Sequence, residues 1–285
     1  MTNKKYFILY ITILEEYFDT FIAIISDLNF NGVVEGMDVL EIYFDEENWS
    51  DEIEDKIKEL TTDIDFEYKV LKQNTIEDKN WNEEWEKHVT VVQVSDKIAI
   101  TPSWRKDENN SEIKVIIDPK MSFGTGHHSS TKLVSELMED NIIKNSNCLD
   151  VGTGTGVLAI LSIKLGAKSC LAFDNNEWSV NNAFENVKLN DVEDKIKIDE
   201  IDIDSTDLST LGEFEHIFAN LFFPLIMRSM ENFAKCLDKT KGTLFISGIM
   251  IFDRDEVLKT AKENKFELIR LIEENEWCGF HFKRI

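Results

Sequence analysis

From Ser129 to the end, the chain alternates short apolar runs with segments whose apolar residues recur every three or four positions. The runs Cys148 to Val151, Ser169 to Phe173, Lys195 to Ile201, Glu215 to Ala219 and Thr243 to Ser247 read as strands. The segments Ser129 to Ile142, Val157 to Leu165, Glu177 to Leu189, Pro224 to Leu237 and Asp253 to Glu263 read as helices. Such alternation constrains a chain strongly. It predicts a mostly parallel sheet covered by helices on both faces, an α/β doubly wound fold. The last two runs, Phe266 to Ile272 and Cys278 to Phe282 around Glu274-Asn275, read as a terminal antiparallel hairpin.

The first part of the chain has another rhythm. A strand over residues 6–13, a helix from Glu15 to Leu28, the pair Val33-Val34, a turn at Glu35-Gly36, a strand from Val39 to Phe44, a helix from Asp51 to Leu60 and a strand from Phe66 to Leu71 follow in order. That βαββαβ sequence predicts a small ferredoxin-like α+β domain over residues 1–72, suited to recognition rather than chemistry. Residues 73–88 read as a linker helix that Trp81 and Trp85, one turn apart, anchor by burying ring area. Residues 89–285 then form the second domain, with an N-terminal β extension of strands at Val89 to Val94, Ile98 to Thr101 and Ile113 to Ile117.

Composition removes several classes of function. With 31 Lys and Arg against 55 Asp and Glu, the net charge is −24, and no basic block exists to neutralise phosphates. Direct nucleic-acid binding is not expected. No stretch approaches the ~20 apolar residues needed to span a bilayer. Cys148, Cys170, Cys236 and Cys278 are widely spaced with no C-x-x-C pair, which argues against a zinc site or a disulfide framework and for a reducing, cytoplasmic setting.

Chemistry concentrates in Leu149-Asp150-Val151-Gly152-Thr153-Gly154-Thr155-Gly156, where a strand should turn into a helix. Glycines suit such a turn because positive φ is open to them and a Cβ would collide with a ligand lying on it. A dinucleotide fingerprint would place its third glycine where Val157 stands, so that reading fails. Asp150 can attract a cationic ligand group or order the loop. Asp174 follows Gly152 by 22 residues and can accept both hydroxyls of a ribose, or cap the next helix as Asn175 or Asn176 could. Asn220, at the end of the fourth parallel strand, offers an amide oxygen to an amine, or a cap to the helix near Pro224. His127-His128 are adjacent and cannot converge on a metal as an i, i+4 pair would, so no metal is expected.

The segment Asp118-Pro119-Lys120-Met121-Ser122-Phe123-Gly124-Thr125-Gly126-His127-His128-Ser129-Ser130-Thr131 resembles the D-P-x-x-A-F-G-T-G-x-H-x-T-T signature of the bacterial ribosomal protein L-eleven methyltransferase family, the PrmA type. The likeness continues at Asn80 to Trp85, Pro102-Ser103-Trp104, the Asp150 to Gly156 loop, Ala219 to Leu225, Ser247-Gly248-Ile249 and Glu276-Trp277. Ser122 replaces the usual Ala and Ser130 the first Thr, and residues 1–72 match in topology alone.

The resemblance implies a class I S-adenosylmethionine-dependent methyltransferase that modifies the N-terminal α-amine and lysine side chains of that basic ribosomal protein, its small domain recognising the substrate. Another class I methyltransferase, acting on a different protein or a small-molecule amine, is the alternative. Carried over by position, Thr131, Gly152, Asp174 and Asn220 hold the cofactor, together with Asp150, Gly154 and Gly156 of the loop, and Asn220 is also the catalytic residue. Read without the resemblance, Phe123, Gly124, Thr125 and Gly126 form a flexible loop with one aromatic, either a lid over the cofactor and substrate or a plain surface turn.

Overall fold

The structure is a computed structural model that describes residues 5–50, 52–62, 64, 66–77, 89–120 and 122–285. Of the expected linker helix over residues 73–88, residues 78–88, with Trp81 and Trp85, lie outside the described residues, as does Met121, and residues 73–77 are strand instead of helix. The chain divides into two compact units, Met1–His88 and Val89–Ile285.

In the first unit, β1 (Lys5–Thr12), α1 (Phe18–Ile24), β2 (Gly32–Gly36), β3 (Val39–Asp45), α2 (Ile53–Leu60) and β4 (Lys69–Glu77) follow in the predicted order. The antiparallel sheet has the order β2-β3-β1-β4. Leu9 and Ile11 of β1 and Leu40, Ile42 and Phe44 of β3 point to one face and bury against Phe21 of α1 and Ile57 of α2. Three boundaries move. The first helix is shorter than predicted, because one-turn 3-10 segments flank it and Asn29 stops the chain in the left-handed region. Gly36 ends β2 rather than turning, and the turn falls at Met37-Asp38, where Asp38 has φ +51°. Residues 73–77 continue β4, so the expected boundary at 72 is too early. Among the described residues β4 pairs only with β1, at the sheet edge, and the polar run over 73–75 can stay in the ladder without an apolar signal.

The second unit opens with β5 (Val92–Gln93), β6 (Ile98–Thr101) and β7 (Ile113–Ile116), a three-stranded sheet in that order. The first of these is shorter than the predicted Val89 to Val94. After α3 (Ser129–Glu139) come β8 (Asn147–Val151), α4 (Val157–Lys164), β9 (Ser169–Asp174), α5 (Glu177–Leu189), β10 (Ile196–Glu200), β11 (His216–Asn220), α6 (Phe223–Cys236), β12 (Thr243–Met250), α7 (Arg254–Glu263), β13 (Phe266–Glu274) and β14 (Trp277–Arg284). The seven-stranded sheet runs β10-β9-β8-β11-β12-β14-β13. β8 to β12 are parallel and β14 enters antiparallel, the predicted hairpin.

Alternation along the strands makes two cores. Cys148, Phe218 and Phe245 pack with α3, α4 and α5, while Leu149, Ile217, Leu244 and Ile246 pack with α6 and α7. The chain leaves β8 for one edge and later returns to β11 on the other side. A crevice therefore opens at the carboxyl ends of these strands. Among the described residues no helix is long and apolar enough to cross a membrane.

Candidate active site

A cavity of about 490 Å³ lies in that crevice. Phe123, Gly152, Gly154, Asp174 and Asn220 line it, so five of the residues singled out by sequence meet at one cavity. Gly124, Thr125, Gly126, Thr131, Asp150 and Gly156 do not line it. Their roles lie behind the surface.

Gly154 has φ +55°, and a Cβ there would strike the carbonyl oxygen of Phe123. Gly152, at φ +69°, would strike the side chain of Leu221. Both glycines line the cavity, and the place a Cβ would take is already filled by protein atoms. The room is taken by the protein's own 122–128 segment and by Leu221, and positive φ at both positions admits glycine with least strain. The main-chain N–H of Thr155 donates to Phe123 O at 2.9 Å, and its hydroxyl donates to Gly124 O at 2.7 Å. Gly126 passes so close to Ile100 that a Cβ would lie 2.7 Å from its Cδ1. The expected lid is thus a strap bonded to the glycine loop, and of its predicted residues Phe123 alone, with a half-exposed ring, meets the cavity.

Asparagines of α5 hold the strap's approach, a feature that reading the segment only as a helix passes over. Asn182, Asn186 and Asn190 recur every four residues on one buried face. Asn190 exchanges two hydrogen bonds with the backbone of Ile116. Asn186 accepts from Asp118 N–H at 2.9 Å and donates to Thr155 O at 2.9 Å, while Asn182 donates to Asp118 O at 3.1 Å. Three amides thus imitate a strand edge for residues 116–118, joining strap and glycine loop. The i, i+4, i+8 spacing of asparagine was the available signal.

Asp150 is buried beneath the loop. Its Oδ2 accepts from Thr153 Oγ1 at 2.7 Å and from Ala159 N–H at 3.1 Å, tying the glycine turn to α4, while Oδ1 has no partner. Burial pushes its carboxyl up to about 7. Of the two roles open in the sequence, these contacts serve loop ordering. Asp174 stands at the wall. It accepts from Gly154 N–H at 3.0 Å through Oδ2 and from Asn176 N–H at 3.0 Å through Oδ1, and each oxygen retains lone-pair capacity. The helix cap is Asn176, whose side chain accepts from Trp178 and Ser179 N–H.

Asn220 does not cap α6, whose N-cap is Phe222 without a side-chain bond. Its Nδ2 donates to Thr131 Oγ1 at 3.2 Å, and its buried Oδ1 has no partner. Around it stand His128, Trp277 and Phe222. His128 caps α3 by accepting from Ser130 N–H at 3.2 Å, and its ring meets Trp277 edge-on at 4.6 Å. At the other end, Phe173, Ile201, Ile203 and Leu225 make an apolar wall closed by the Arg228–Asp204 pair, at 2.5 and 2.6 Å. The guanidinium holds the Asp204 carboxyl below its usual range. Sequence reasoning missed this wall, since its residues come from the end of β9, the loop after β10 and α6, which are far apart in the chain.

The arrangement fits a nucleoside with a cationic or polar tail. An apolar slot lies beside a strand-end carboxylate and a backbone turn, and an unpaired amide oxygen waits at the far side. The family model described as ribosomal protein L11 methyltransferase (PrmA) matches residues 20–285. Among curated relatives, ribosomal protein L11 methyltransferase of Chlorobaculum parvum is 33% identical over 93% of this chain and 91% of its own, and that of Bacteroides thetaiotaomicron is 31% identical over 93% of each. A crystal structure titled ribosomal protein L11 methylase, from Lactobacillus delbrueckii subsp. bulgaricus, superposes with a TM-score of 0.61 at 30% identity, covering 68% of this chain and 98% of that one. The chain belongs to the ribosomal protein L11 methyltransferase (PrmA) family.

Proposed function

We propose that this protein uses S-adenosylmethionine to methylate lysine side-chain and N-terminal α-amines of ribosomal protein L11, the protein named in its relatives' titles. The observation that carries the reading is the unpaired, buried Oδ1 of Asn220 at a cavity that also presents Asp174 and the glycine turn. A buried acceptor without a partner is unfavourable by about 1–3 kcal/mol, and an amine N–H would relieve it.

In this reading Asp174 accepts the ribose hydroxyls, and the backbone of Gly152 and Gly154 borders the cofactor. Phe173, Ile203 and Leu225 give the purine an apolar wall. Asp150 and Gly156 act from below by shaping the loop, and Thr131 acts through Asn220. When bound, S-adenosylmethionine supplies an electrophilic methyl group on a sulfonium. The chain's part is to orient and to keep the nucleophile neutral. Asn220 Oδ1 accepts an N–H of the incoming amine and thereby aims its lone pair, while Phe123, Trp277 and Phe222 exclude water. Partly apolar walls lower the amine's pKa, so its proton can leave to solvent before transfer without a dedicated base. An α-amine near pKa ~8 needs about 1 kcal/mol for this at neutral pH, and a lysine near ~10.4 needs roughly 4–5 kcal/mol.

The first unit's βαββαβ order and β2-β3-β1-β4 sheet support a ferredoxin-like classification and a substrate-recognition role. A net charge of −24 suits a basic protein partner in the cytoplasm and opposes RNA. The test is mass spectrometry of purified ribosomal protein L11 incubated with this protein and S-adenosylmethionine. Mass gains of whole methyl groups on lysine or the α-amine are expected. An unmodified L11, with cofactor binding intact, refutes the substrate.

A further inference from the structure

We infer that the corner Ile251–Asp253, together with Glu276 of the neighbouring hairpin turn, is a docking surface for a lysine or arginine that flanks the target amine in the substrate protein. The stem of that residue lies on Phe252, and its charged head meets Asp253 and Glu276. The inference rests on the proposed reading of the site and adds to it a surface outside the cavity.

The corner follows β12, which pairs with β11 and so with Asn220. Met250 closes β12 opposite Trp277, a residue of the cavity lining, and Ile251 N–H then donates to Glu276 O at 3.0 Å. Phe252 is thus one residue from the backbone contact that joins the corner to Glu276. Phe222 reaches the same end of the sheet because the chain leaving β11 crosses β12: a Cβ on Gly248, at φ +83°, would strike the main chain of Leu221. Phe222 is 60% exposed and Phe252 78%. One exposed phenylalanine is ordinary on a protein surface. Two at neighbouring strand ends, beside a cavity whose Asn220 oxygen has no partner, carry its apolar lining outward.

The backbone beneath the surface is held at several points. Arg254 N–H donates to Ile251 O and closes the corner, while Ile251 packs on the second core. Asn275 Nδ2 donates to Ser129 Oγ at 2.9 Å and ties the hairpin turn to α3. The cations nearby are already engaged. Arg254 spans Asp255 at 3.0 Å and Glu273 at 3.2 Å, and Lys132 meets Glu274 at 2.7 Å. The side chains of Asp253 and Glu276 have no partner among the described residues. Two unpaired carboxylates beside an exposed aromatic ring repel an anionic partner and suit a long basic side chain, whose methylenes cover the ring while its head stays at the carboxylates. Such a residue, carried next to the target amine, would hold the substrate at the mouth where Asn220 waits.

The test uses short fluorescein-labelled peptides with a central lysine flanked by arginines, alanines or glutamates. Their binding to the full chain with saturating S-adenosylhomocysteine is read by anisotropy, and methyl transfer to the same peptides by mass spectrometry. The arginine-flanked peptide should bind about 5-fold or more tightly than the alanine-flanked one. Glu276→Lys should abolish that preference and improve binding of the glutamate-flanked peptide. Phe252→Ala should weaken the arginine-flanked peptide about 3-fold or more and the alanine-flanked one less, with the change falling on KM rather than kcat. The inference is overturned if flanking charge makes no difference to the unaltered protein, if Glu276→Lys leaves the preference in place, or if Phe252→Ala weakens all three peptides alike. A dimer of the unaltered protein that Phe252→Ala dissolves in sedimentation would assign the face to a second copy and overturn it as well. Should the peptides bind in the expected pattern and receive no methyl group, the proposed function fails and the docking surface stands; should they be methylated without that pattern, the reverse holds.

Discussion

In the proposed reading, replacing Asn220 with alanine removes the acceptor that orients the incoming amine. Asn220→Ala should therefore cut kcat by roughly 100-fold while cofactor affinity stays within a few-fold. Asp174→Ala should do the reverse, raising the cofactor Kd by about 10-fold or more because two charge-assisted hydrogen bonds vanish, as calorimetric titration would show. A third residue-scale effect lies far from the site. His281 is buried with both ring nitrogens unpartnered, stacked 4.3 Å over Phe245. Burial, with Arg270 nearby, depresses its pKa to about 4, and burial with His281 nearby does the same to His216. A base whose folded pKa lies below the unfolded ~6.5 favours the folded state above that pH, and its contribution is lost as pH falls toward 4. His281→Leu should flatten the fall in Tm between about pH 6.5 and 4 and add ~1 kcal/mol at pH 5 by removing unpaired polar atoms. An unchanged Tm profile would contradict this.

At the scale of elements, the asparagine face of α5 decides where the strap runs. Asn186→Ala leaves Asp118 N–H and Thr155 O without their partner in a buried place and should destabilise the chain by about 2–4 kcal/mol, read as a lowered urea midpoint in tryptophan fluorescence. Phe123 should then lose its fixed place at the cavity. The elements themselves were legible: α5 runs over the predicted Glu177 to Leu189, and β8, β9, β11 and β12 begin within one residue of expectation. Apolar periodicity is a local property, so it survives in the sequence. The edge strand β4 and the broken first helix were misjudged because their limits depend on a strand partner and on Asn29's left-handed turn.

For the whole molecule, charge is the governing term. An enzyme of net charge −24 should draw a basic protein by long-range attraction, which salt screens over about 8–10 Å. Raising NaCl from about 0.05 to 0.3 M should raise the KM for ribosomal protein L11 several-fold while the cofactor Kd moves little, since its contacts lie inside a shielded crevice. Equal salt sensitivity of both would refute steering.

The sequence alone determined the alternation that builds a doubly wound sheet, the glycine turn with its strand-end acid, and the membership signalled by the Asp118 to Thr131 motif. Those features are written in nearest-neighbour spacing. Only the tertiary structure decided that the glycines make room for the strap and for Leu221, that Asp150 ties the loop from beneath, and that Thr131 reaches Asn220. Each depends on which distant segments share a few ångströms, and packing of β8, β11, α3 and the strap around one crevice sets that distance.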